Sequence, residues 1–519
     1  MRPPALLAKR SAGLLLHPTS LPGRHGCGDL GVAARAFVDF LAAAGMRWWQ
    51  MLPVGPTGHS PYSALSAFAG NPLLIDLDAL AAVGLLAARD LVPPPGLSDQ
   101  EVVFGPVTEF RVSQLRRAFA AFERGGGLRQ RDFRRFCARE AGWLADHALY
   151  MALRRQHARG ASTGEPCAST GEPSNWITWP PALRTRRPAA LRRAAADLRT
   201  EVDFERFVQF LFDQQWSALR RYAGRRGIRL IGDVPFFVAH DSSDVWAHPD
   251  LFDLDERGRA RTVSGAPPDY FSRTGQLWNH PQYRWRRHAA TGFDWWLARF
   301  GRAFALFDAV RIDHFLGFNR VWAVPGRAKT ARRGKWVKTP GAALFARLQR
   351  KLGPLPIIAE DLGLLTPQAA ALRDRFGFPG MRLLQFAFGP GGDYHLSHNH
   401  PRNCVAYPGT HDNDTVVGWL AELRAAARRD HAARSRLRHL MRYAGTPRPT
   451  HWDVLRLLFL SPANIAVAPV QDILGLDNRA RMNLPGTPRG NWGWRLPPAQ
   501  LTPALSTRLR TVLDTYGRT

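Results

Sequence analysis

Short runs of apolar residues recur along the chain between longer polar or mixed stretches. They lie at residues 13–18, 48–54, 228–238, 307–315, 356–362, 382–388, 404–411 and 464–472. Short continuous apolar runs are typical of strands buried on both faces, as in a parallel sheet. The gaps after the first, fifth, sixth and seventh runs are long enough for a helix. Eight strands alternating with helices predict an α/β protein built on a (β/α)8 TIM barrel.

Two of the intervening helices have clear signals. Residues 32–44, which follow Asp29, carry apolar side chains at helical spacing. Asp203 is a candidate cap for a second helix, because the apolar residues between 204 and 219 follow the helical period of about 3.6 residues. Gly224 and Gly227 predict the end of that helix, just before the third strand.

Three gaps between the predicted strands are too long for a simple crossover. They cover residues of about 55–202, 239–306 and 316–355, and the first contains a strongly helical stretch at 131–159. Such gaps predict inserted, mainly helical subdomains in a single catalytic barrel that spans residues 1–519. The first gap also holds a tandem seven-residue duplication at 161–174, rich in Gly, Ser, Thr and Pro. That composition predicts a flexible surface loop.

The charge of the chain is unusual, while the rest of its composition is ordinary. Of its 519 residues 45% are hydrophobic and 22% charged, as in a soluble globular protein. The 71 Lys and Arg residues exceed the 42 Asp and Glu residues, which gives a formal net charge of +29. Such a charge invites a nucleic-acid hypothesis. However, Lys is nearly absent, Arg is spread throughout, and no nucleic-acid-binding motif occurs, so a compositional bias is favoured and no specific nucleic-acid partner is expected.

Cysteine usage and the absence of long apolar segments predict a cytoplasmic location. Cys27, Cys137, Cys167 and Cys404 are scattered and form no CxxC pair, so a reducing compartment is expected. No apolar stretch approaches the 18 or so residues that a membrane-spanning helix needs, and the N-terminus lacks a secretory signal.

No cofactor or metal is predicted. The chain lacks a Gly-rich phosphate loop, so no nucleotide cofactor is implied. His395, His398 and His400 lie close together, but no carboxylate or Cys is evidently placed to complete a site with them. A polar loop is the favoured interpretation of these histidines.

Three acidic residues stand at the ends of predicted strands, namely Asp313, Glu360 and Asp412. In a (β/α)8 barrel the carboxyl ends of the strands carry the chemistry. Arg311 lies two residues before Asp313 and shares its face, so it would keep Asp313 ionised. The apolar neighbours of Glu360 would raise its pKa and keep it protonated as a general acid. Any one such carboxylate is equally consistent with a structural ion pair, but three in this order favour glycosidic chemistry.

The residues around these acids resemble a known family. The segment 311–314, Glu360 and the pair His411-Asp412 resemble the three later signature regions of the α-amylase clan. Further segments narrow this resemblance to one family within the clan, and they lie at residues 15–22, 60–63, 231–235, 359–363, 409–415, 481–487 and 491–495. Together they resemble the amylomaltase, or disproportionating-enzyme, family of 4-α-glucanotransferases (glycoside hydrolase family 77), and the resemblance runs nearly end to end.

The resemblance implies a role for each matching residue. Asp313 would be the nucleophile, Glu360 the acid/base and Asp412 the stabiliser of the transition state. The implied substrate-binding residues are Ser60, Tyr62, Asp233, Tyr270, Phe271, Gln276, Trp278, Arg311, His314 and His411. Arg311, His411 and Asp233 would hold the sugar in the cleavage subsite, and Tyr62 would stack on it.

The segment 267–278 resembles the active-site loop of the family. Tyr270 and Phe271 would lie over the cleft, and Gln276 and Trp278 would contact glucose, although Trp278 is also consistent with a core aromatic residue. After the tryptophan the chain has Asn279-His280-Pro281 in place of the usual Gly-Asn-Pro, and loss of the glycine is expected to affect the local turn.

The implied function is retaining transfer of α-1,4-glucan segments to the 4-hydroxyl of an acceptor glucose or maltodextrin. The expected partners are α-1,4-glucans, maltodextrins and glucose as acceptor, with no nucleic acid and no membrane. A retaining mechanism predicts that the carboxyl groups of Asp313 and Glu360 lie about 5–5.5 Å apart. Two alternatives stay open here, an α-amylase-like retaining hydrolase and a non-catalytic basic protein that binds polysaccharide or nucleic acid.

Overall fold

Eight parallel strands form one sheet that curves into a barrel. The computed structural model describes residues 4–57, 60–125, 128–160, 175–268, 272–487 and 489–519. Its strands are β1 (Ser11–Leu15), β2 (Trp48–Gln50), β3 (Arg229–Pro235), β4 (Thr262–Ala266), β5 (Gln276–Pro281), β6 (Ala309–Asp313), β7 (Arg320–Pro325), β8 (Lys335–Lys338), β9 (Ile357–Ala359), β10 (Gly380–Leu383), β11 (Cys404–Tyr407) and β12 (Ile465–Pro469).

The barrel strands lie in the order β10-β11-β12-β1-β2-β3-β6-β9, and all their pairings are parallel. The sheet closes where the backbone N–H of Ala359 donates to the carbonyl of Pro379, at 2.8 Å. Each of the eight apolar runs contains or overlaps one barrel strand, so the predicted (β/α)8 barrel is confirmed.

Helices surround this barrel. The structure contains α1 (Ala5–Ala8), α2 (Val32–Ala43), α3 (Leu77–Ala82), α4 (Phe104–Arg124), α5 (Leu128–Arg139), α6 (Ala141–Gly160), α7 (Pro181–Arg184), α8 (Pro188–Asp197), α9 (Arg199–Arg225), α10 (Ser243–Ala247), α11 (Trp285–Ala290), α12 (Asp294–Leu306), α13 (Gly341–Leu352), α14 (Pro367–Arg375), α15 (Val416–Ala427), α16 (His431–Ala444), α17 (His451–Leu460), α18 (Val470–Leu474) and α19 (Pro503–Thr515). Within the described ranges no helix is long and apolar enough to cross a membrane.

Side chains alternate between two cores along the barrel strands. One set fills the barrel, including Leu15, Ile231 and Val467, and another packs outward against the helices, including Leu14 and Val310. Gly232 faces outward, and a Cβ there would lie 2.2 Å from the ring of Phe307. Strands buried on both sides explain why the runs are continuously apolar rather than alternating.

The two helices with clear signals form, with one difference at the start of the second. The backbone N–H of Gly31 donates to Asp29 Oδ1 at 3.0 Å just before α2. Helix α9 starts at Arg199 rather than after Asp203, and only Leu198 separates it from α8. Asp203 therefore does not cap the helix; instead it lies one turn inside and pairs with Arg206 at 3.0 Å.

The stretch at 131–159 is helical as predicted and consists of two helices, α5 and α6, that are separated at Glu140. One other expectation, a helix after the sixth barrel strand, was wrong. The connection from β10 to β11 contains only 3-10 turns, at Leu384–Phe386, Asp393–His395 and Ser397–Asn399. Residues 389–392 read Gly-Pro-Gly-Gly, which disfavours an α-helix there.

A second sheet lies in the inserted segments, which had been predicted to be mainly helical. Strands β5, β4, β7 and β8 pair antiparallel in that order. Strands β4 and β5 belong to the segment before β6, whereas β7 and β8 belong to the segment after it. The two insertions therefore fold together into one sheet beside the carboxyl end of β6. The sequence did not predict this sheet, although α-helices still contain more of the residues in these segments than strands do.

Candidate active site

The guanidinium of Arg311 joins two carboxylates at the carboxyl end of the barrel. Arg311 Nη1 donates to Asp233 Oδ2 on β3 at 2.7 Å, and Nη2 donates to Asp313 Oδ1 at 3.1 Å. The side chains of Arg311 and Asp233 are buried, whereas Asp313 is one-third exposed. Residues 311 and 313 share a face because side chains alternate along a strand. Asp313 is therefore an accessible carboxylate with a permanent positive charge beside it.

A left-handed residue after β6 connects Asp313 to Glu360. His314 has a φ of 54°, a conformation that few residues other than glycine adopt. Its backbone N–H donates to Glu360 Oε2 at 2.8 Å, and the N–H of Leu362 donates to Glu360 Oε1 at 2.9 Å. Both carboxyl oxygens of Glu360 are therefore held by backbone, which fixes the side chain relative to Asp313.

The environment of Glu360 favours its protonated form. Burial raises the pKa of Glu360 to about 7, and the negative charge of Asp313 acts in the same direction. The charge of Arg311 and the two backbone N–H donors oppose this effect. Burial also raises the pKa of Asp233, against the guanidinium that pairs with it. The two carboxyl groups thus have different environments, with a guanidinium beside Asp313 and burial acting on Glu360.

Tyr62 bridges two sides of the barrel through its hydroxyl. The hydroxyl donates to Asp233 Oδ2 at 2.8 Å and lies 2.8 Å from His411 Nε2. Burial lowers the pKa of His411, so the imidazole is neutral near pH 7. His411 Nε2 also lies 3.4 Å from Asp412 Oδ2, so a proton on that nitrogen would face both the Tyr62 hydroxyl and the Asp412 carboxylate. Ser60 Oγ accepts from the Tyr62 N–H at 3.3 Å and so caps the turn at Pro61–Ser63.

Asp412 is held in place by its neighbour His411 and by two residues of the segment 481–487. Asn483 Nδ2 donates to Asp412 Oδ1 at 2.6 Å, and His411 Nε2 lies 3.4 Å from Asp412 Oδ2. Arg481 Nη2 donates to the backbone carbonyl of Asp412 at 2.7 Å and also pairs with Asp414. The carboxylate of Asp412 is 43% exposed, so it remains open to a ligand while its orientation is fixed.

An aromatic group from the second sheet reaches the same place. The rings of Trp278 on β5 and His314 are 4.9 Å apart and nearly perpendicular, and Trp278 Nε1 donates to Gln276 Oε1 at 3.2 Å. Trp278 is half-buried, and Gln276 is exposed. Asn279 adopts a φ of 63°, the left-handed region that asparagine tolerates better than most residues. Asparagine thus adopts, inside β5, the left-handed conformation that glycine would favour, and no separate turn forms there.

The structure therefore brings most of the predicted site residues together and leaves two undescribed. Tyr270 and Phe271 lie outside the described residues, as does the duplication at 161–174. Within the described part of the chain, no group of three His, Cys, Asp or Glu side chains is arranged to hold a metal ion. His395 Nδ1 accepts from the backbone N–H of Leu383 at 3.1 Å, and His400 Nε2 lies 2.8 Å from the carbonyl of His395.

Three residues at the site had no assigned role in the sequence analysis. Arg481 and Asn483 hold Asp412, and the ring of Trp492 lies 5.8 Å from Tyr62 and 5.9 Å from His411. All three lie in segments that carry the family resemblance, at 481–487 and 491–495. The two motifs therefore indicated that these residues could matter for the site, but only the fold shows which carboxylate or ring each of them contacts.

A barrel with an arginine-paired carboxylate and a second, proton-holding carboxyl at its carboxyl end is typical of enzymes that act on glycosidic bonds. A family model described as 4-alpha-glucanotransferase matches residues 16–502. The chain is 47% identical over 518 residues to the 4-alpha-glucanotransferase of Thermus thermophilus, covering 98% of this chain and 99% of that one. It is 45% identical over 522 residues to the 4-alpha-glucanotransferase of Synechocystis sp., covering 99% of each.

A solved structure agrees with these relatives. The amylomaltase from Streptococcus agalactiae in complex with acarbose aligns with a TM-score of 0.90 and 35% identity, over 98% of this chain and 100% of that one. The chain belongs to the 4-alpha-glucanotransferase family. The predicted enzyme class and transferase function are thereby confirmed over the α-amylase-like hydrolase and the non-catalytic binding protein.

Proposed function

We propose that Asp313 and Glu360 transfer segments of α-1,4-glucan by a retaining double displacement. The observation that carries this proposal is the contrast between the two carboxyl groups. Asp313 is paired with Arg311 at 3.1 Å, whereas burial raises the pKa of Glu360 to about 7. A charged nucleophile and a protonated acid are what the first step requires.

In the first step Asp313 attacks the anomeric carbon of the donor. A bond forms between that carbon and the Asp313 carboxylate as the glycosidic C–O bond breaks. The electron pair of that bond goes to the departing oxygen, which takes the proton of Glu360. The result is a covalent β-glucosyl-enzyme and a shortened glucan with a free 4-hydroxyl.

In the second step Glu360, now ionised, accepts the proton of an acceptor 4-hydroxyl. The acceptor oxygen attacks the anomeric carbon, the bond to Asp313 breaks, and the α-linkage is restored. We expect glucose or a maltodextrin as the acceptor. Transfer instead of hydrolysis requires that the bound acceptor reacts before water does.

Four further side chains are proposed to hold the sugar at the point of cleavage. The exposed carboxylate of Asp412 would bind ring hydroxyls and stabilise positive charge in the transition state. Tyr62, half-buried against His411 and Trp492, would present one ring face to the C–H face of the sugar, and Asp233 and His411 would bind its hydroxyls. Their shared hydrogen bonds at 2.8 Å support this proposal, since pre-oriented groups stabilise the transition state at least cost.

Replacing Asp313 with Asn tests the assignment of the nucleophile. The rate of maltotriose disproportionation should fall by about a thousandfold or more, because the amide is a poor nucleophile. Asp308→Asn is a matched control, since Asp308 precedes β6 and accepts from the N–H of Leu230 at 2.9 Å, remote from the cleft. Appreciable turnover by the Asp313 variant would contradict the assignment.

The products from maltotriose test acceptor use. We expect a ladder of longer maltodextrins together with glucose. Glucose labelled with carbon-13 and added as acceptor should appear at the reducing ends of the products. A steady rise in reducing ends without a ladder would contradict transfer, and unlabelled products would contradict glucose as an acceptor.

We also propose that the chain acts in the cytoplasm as one catalytic barrel with its three insertions. Cys27, Cys137 and Cys404 are free thiols, which supports a reducing compartment. We propose α-glucans as the binding partners of the chain, and we propose no specific nucleic-acid partner. Cell fractionation followed by the maltotriose assay tests the location.

A further inference from the structure

One segment of this basic chain contains no acidic residue over a long distance. Between Asp313 and Glu360, residues 314–359 include no Asp or Glu but ten Lys and Arg residues. Seven of these ten lie between 320 and 338, and that stretch holds three of the five lysines in the whole chain. The local charge therefore exceeds what a general preference for arginine would produce.

The strands of the second sheet present part of this charge next to exposed aromatic surface. Trp322 lies opposite Trp336, and Arg320 opposite Lys338, in the β7–β8 pairing, so these four side chains share one face. The Arg320 guanidinium lies 4.2 Å from the centre of the Trp336 ring, and the two tryptophan rings are 5.2 Å apart. Trp336 is 43% exposed, whereas the other tryptophans in the described residues are buried or half-buried.

A loop adds more positive charge along this face. Ala328 and Ala331 pack in the same apolar cluster as Trp322 and Leu277, so the loop at 326–334 lies on this side of the sheet. Its charged residues Arg327, Lys329, Arg332 and Arg333 are exposed. Across the described part of the chain, no acidic side chain forms an ion pair with these residues, nor with Arg320 or Lys338.

This loop also contacts the turn that continues the predicted active-site loop. The backbone N–H of Ala331 donates to the carbonyl of Thr274 at 3.0 Å, and Arg332 Nε donates to the carbonyl of Arg273 at 3.1 Å. The other face of the sheet carries Val321, which packs in the barrel's outer core. The charged face is therefore separate from the catalytic cleft but built on the same small sheet.

We propose that this face, formed by Arg320, Trp322, Trp336, Lys338 and the loop at 326–334, binds phosphate monoesters on α-glucan chains. Exposed aromatic rings suit the C–H faces of sugar rings, and unpaired cations suit phosphate groups. A neutral α-glucan offers no negative charge to the cations of this face, so the face fits the phosphorylated form of the polymer. The inference rests on the proposed function, because it takes a glucan as the polymer.

Binding should be measured with one amylopectin preparation that carries phosphate monoesters and the same preparation after phosphatase treatment. The Asp313→Asn background prevents turnover during affinity electrophoresis. We expect binding to the phosphorylated form to be about three- to tenfold tighter, with a preference that shrinks as salt is raised. The triple variant Lys329→Gln, Arg333→Gln, Lys338→Gln should bind both preparations equally.

Two controls separate charge at this face from charge elsewhere and from stacking. The triple variant Arg428→Gln, Arg429→Gln, Arg438→Gln removes the same charge from exposed positions around α15 and α16 and should keep the preference. Trp336→Ala should weaken binding to both preparations by a similar factor, and Trp336→Phe should restore most of it.

The proposal is overturned if the protein without substitutions in this face binds both preparations equally. It is also overturned if the first triple variant, at Lys329, Arg333 and Lys338, still prefers the phosphorylated preparation. Tighter binding of a single-stranded RNA homopolymer through the same three residues would assign the face to nucleic acid and overturn it as well. With Asp313 intact, the first triple variant should disproportionate maltotriose at the wild-type rate. An inactive wild type in that assay would contradict the proposed function without affecting the binding result.

Discussion

We propose Glu360 as the residue whose proton sets the pH dependence of the first step. Its pKa is raised to about 7, so it is protonated below that pH and loses its proton as the pH rises through it. For maltotriose, kcat/KM should therefore fall above about pH 7. For α-maltosyl fluoride, glycosylation should not show this fall, because fluoride leaves without protonation. The same alkaline fall with both donors would assign it to another group, such as Asp233.

Tyr62 offers a test of the hydrogen-bond network apart from ring packing. In Tyr62→Phe the ring remains, but Asp233 and His411 lose their shared hydroxyl. We expect kcat/KM for maltotriose to fall by about tenfold or more, since a hydrogen bond to a charged group contributes about 1.5–3 kcal/mol.

Tyr407→Phe is the matched control for the tyrosine variant. Tyr407 donates to Gln50 Oε1 at 2.8 Å inside the barrel, so its loss should lower stability by about 1 kcal/mol and leave kcat/KM nearly unchanged. Equal losses of activity in both variants would indicate a general packing effect, not a role of the Tyr62 network.

Single residues were predictable where a strand places them and less so where the fold joins distant segments. Arg311 and Asp313 share a face because they lie two apart on one strand. Asn483 holds Asp412 from 71 positions away, and no local pattern indicates that contact. The left-handed φ of His314 is equally invisible in the sequence, because it depends on the hydrogen bond to Glu360.

At the scale of elements, the C-terminal helix is tied to the barrel by one buried arginine. Arg518, which follows α19, donates to the carbonyls of Phe459, Ser11 and Ser461 at 2.6, 2.9 and 2.8 Å. Burial and the charge of Arg10 lower its pKa to about 9, so it stays charged at neutral pH. Arg518→Ala should lower the free energy of unfolding by about 3 kcal/mol, because it leaves buried carbonyl groups without a donor.

Urea unfolding of the Arg518 variant should be compared with that of Arg510→Ala. Arg510 is exposed on the same helix and donates to the carbonyls of Ala43 and Ala42 at 2.8 and 3.0 Å. Its replacement should change stability by about 0.5 kcal/mol or less. Similar losses in the two variants would contradict a special role for the buried arginine.

Elements were predictable in proportion to the apolar surface that they bury. Each barrel strand lies between two cores, so its run is continuously apolar and stands out. Strands β4, β5, β7 and β8 contain glycine, serine, histidine and lysine, and their order in the sheet depends on pairing between two separate insertions. Such pairing leaves no period in the sequence, which is why the second sheet was not predicted.

At the scale of the molecule, the barrel accounts for the way in which distant residues form one site. Asp233 and Asp313 lie on β3 and β6, Glu360 directly follows β9, and Asp412 lies five residues after the end of β11. Closure of the sheet brings these segments to one rim. The placement of these acidic side chains at the carboxyl end of the barrel was predictable from the order of the strands. The contribution of the second sheet, through Trp278, was predictable only from the family resemblance, since it requires the fold of two insertions.

The central claim is that glucan transfer passes through a covalent bond to Asp313. A Glu360→Gln variant treated with α-maltotriosyl fluoride tests it directly. Fluoride departs without an acid, so the first step proceeds, whereas the second step lacks its base and the intermediate accumulates. Mass spectrometry of the intact protein should show the added mass of one maltotriosyl group.

Peptide mapping of the trapped protein should place that group on Asp313, and the double variant Asp313→Asn, Glu360→Gln should acquire none. Absence of an adduct in the Glu360 variant, or an adduct on any other residue, would contradict the account.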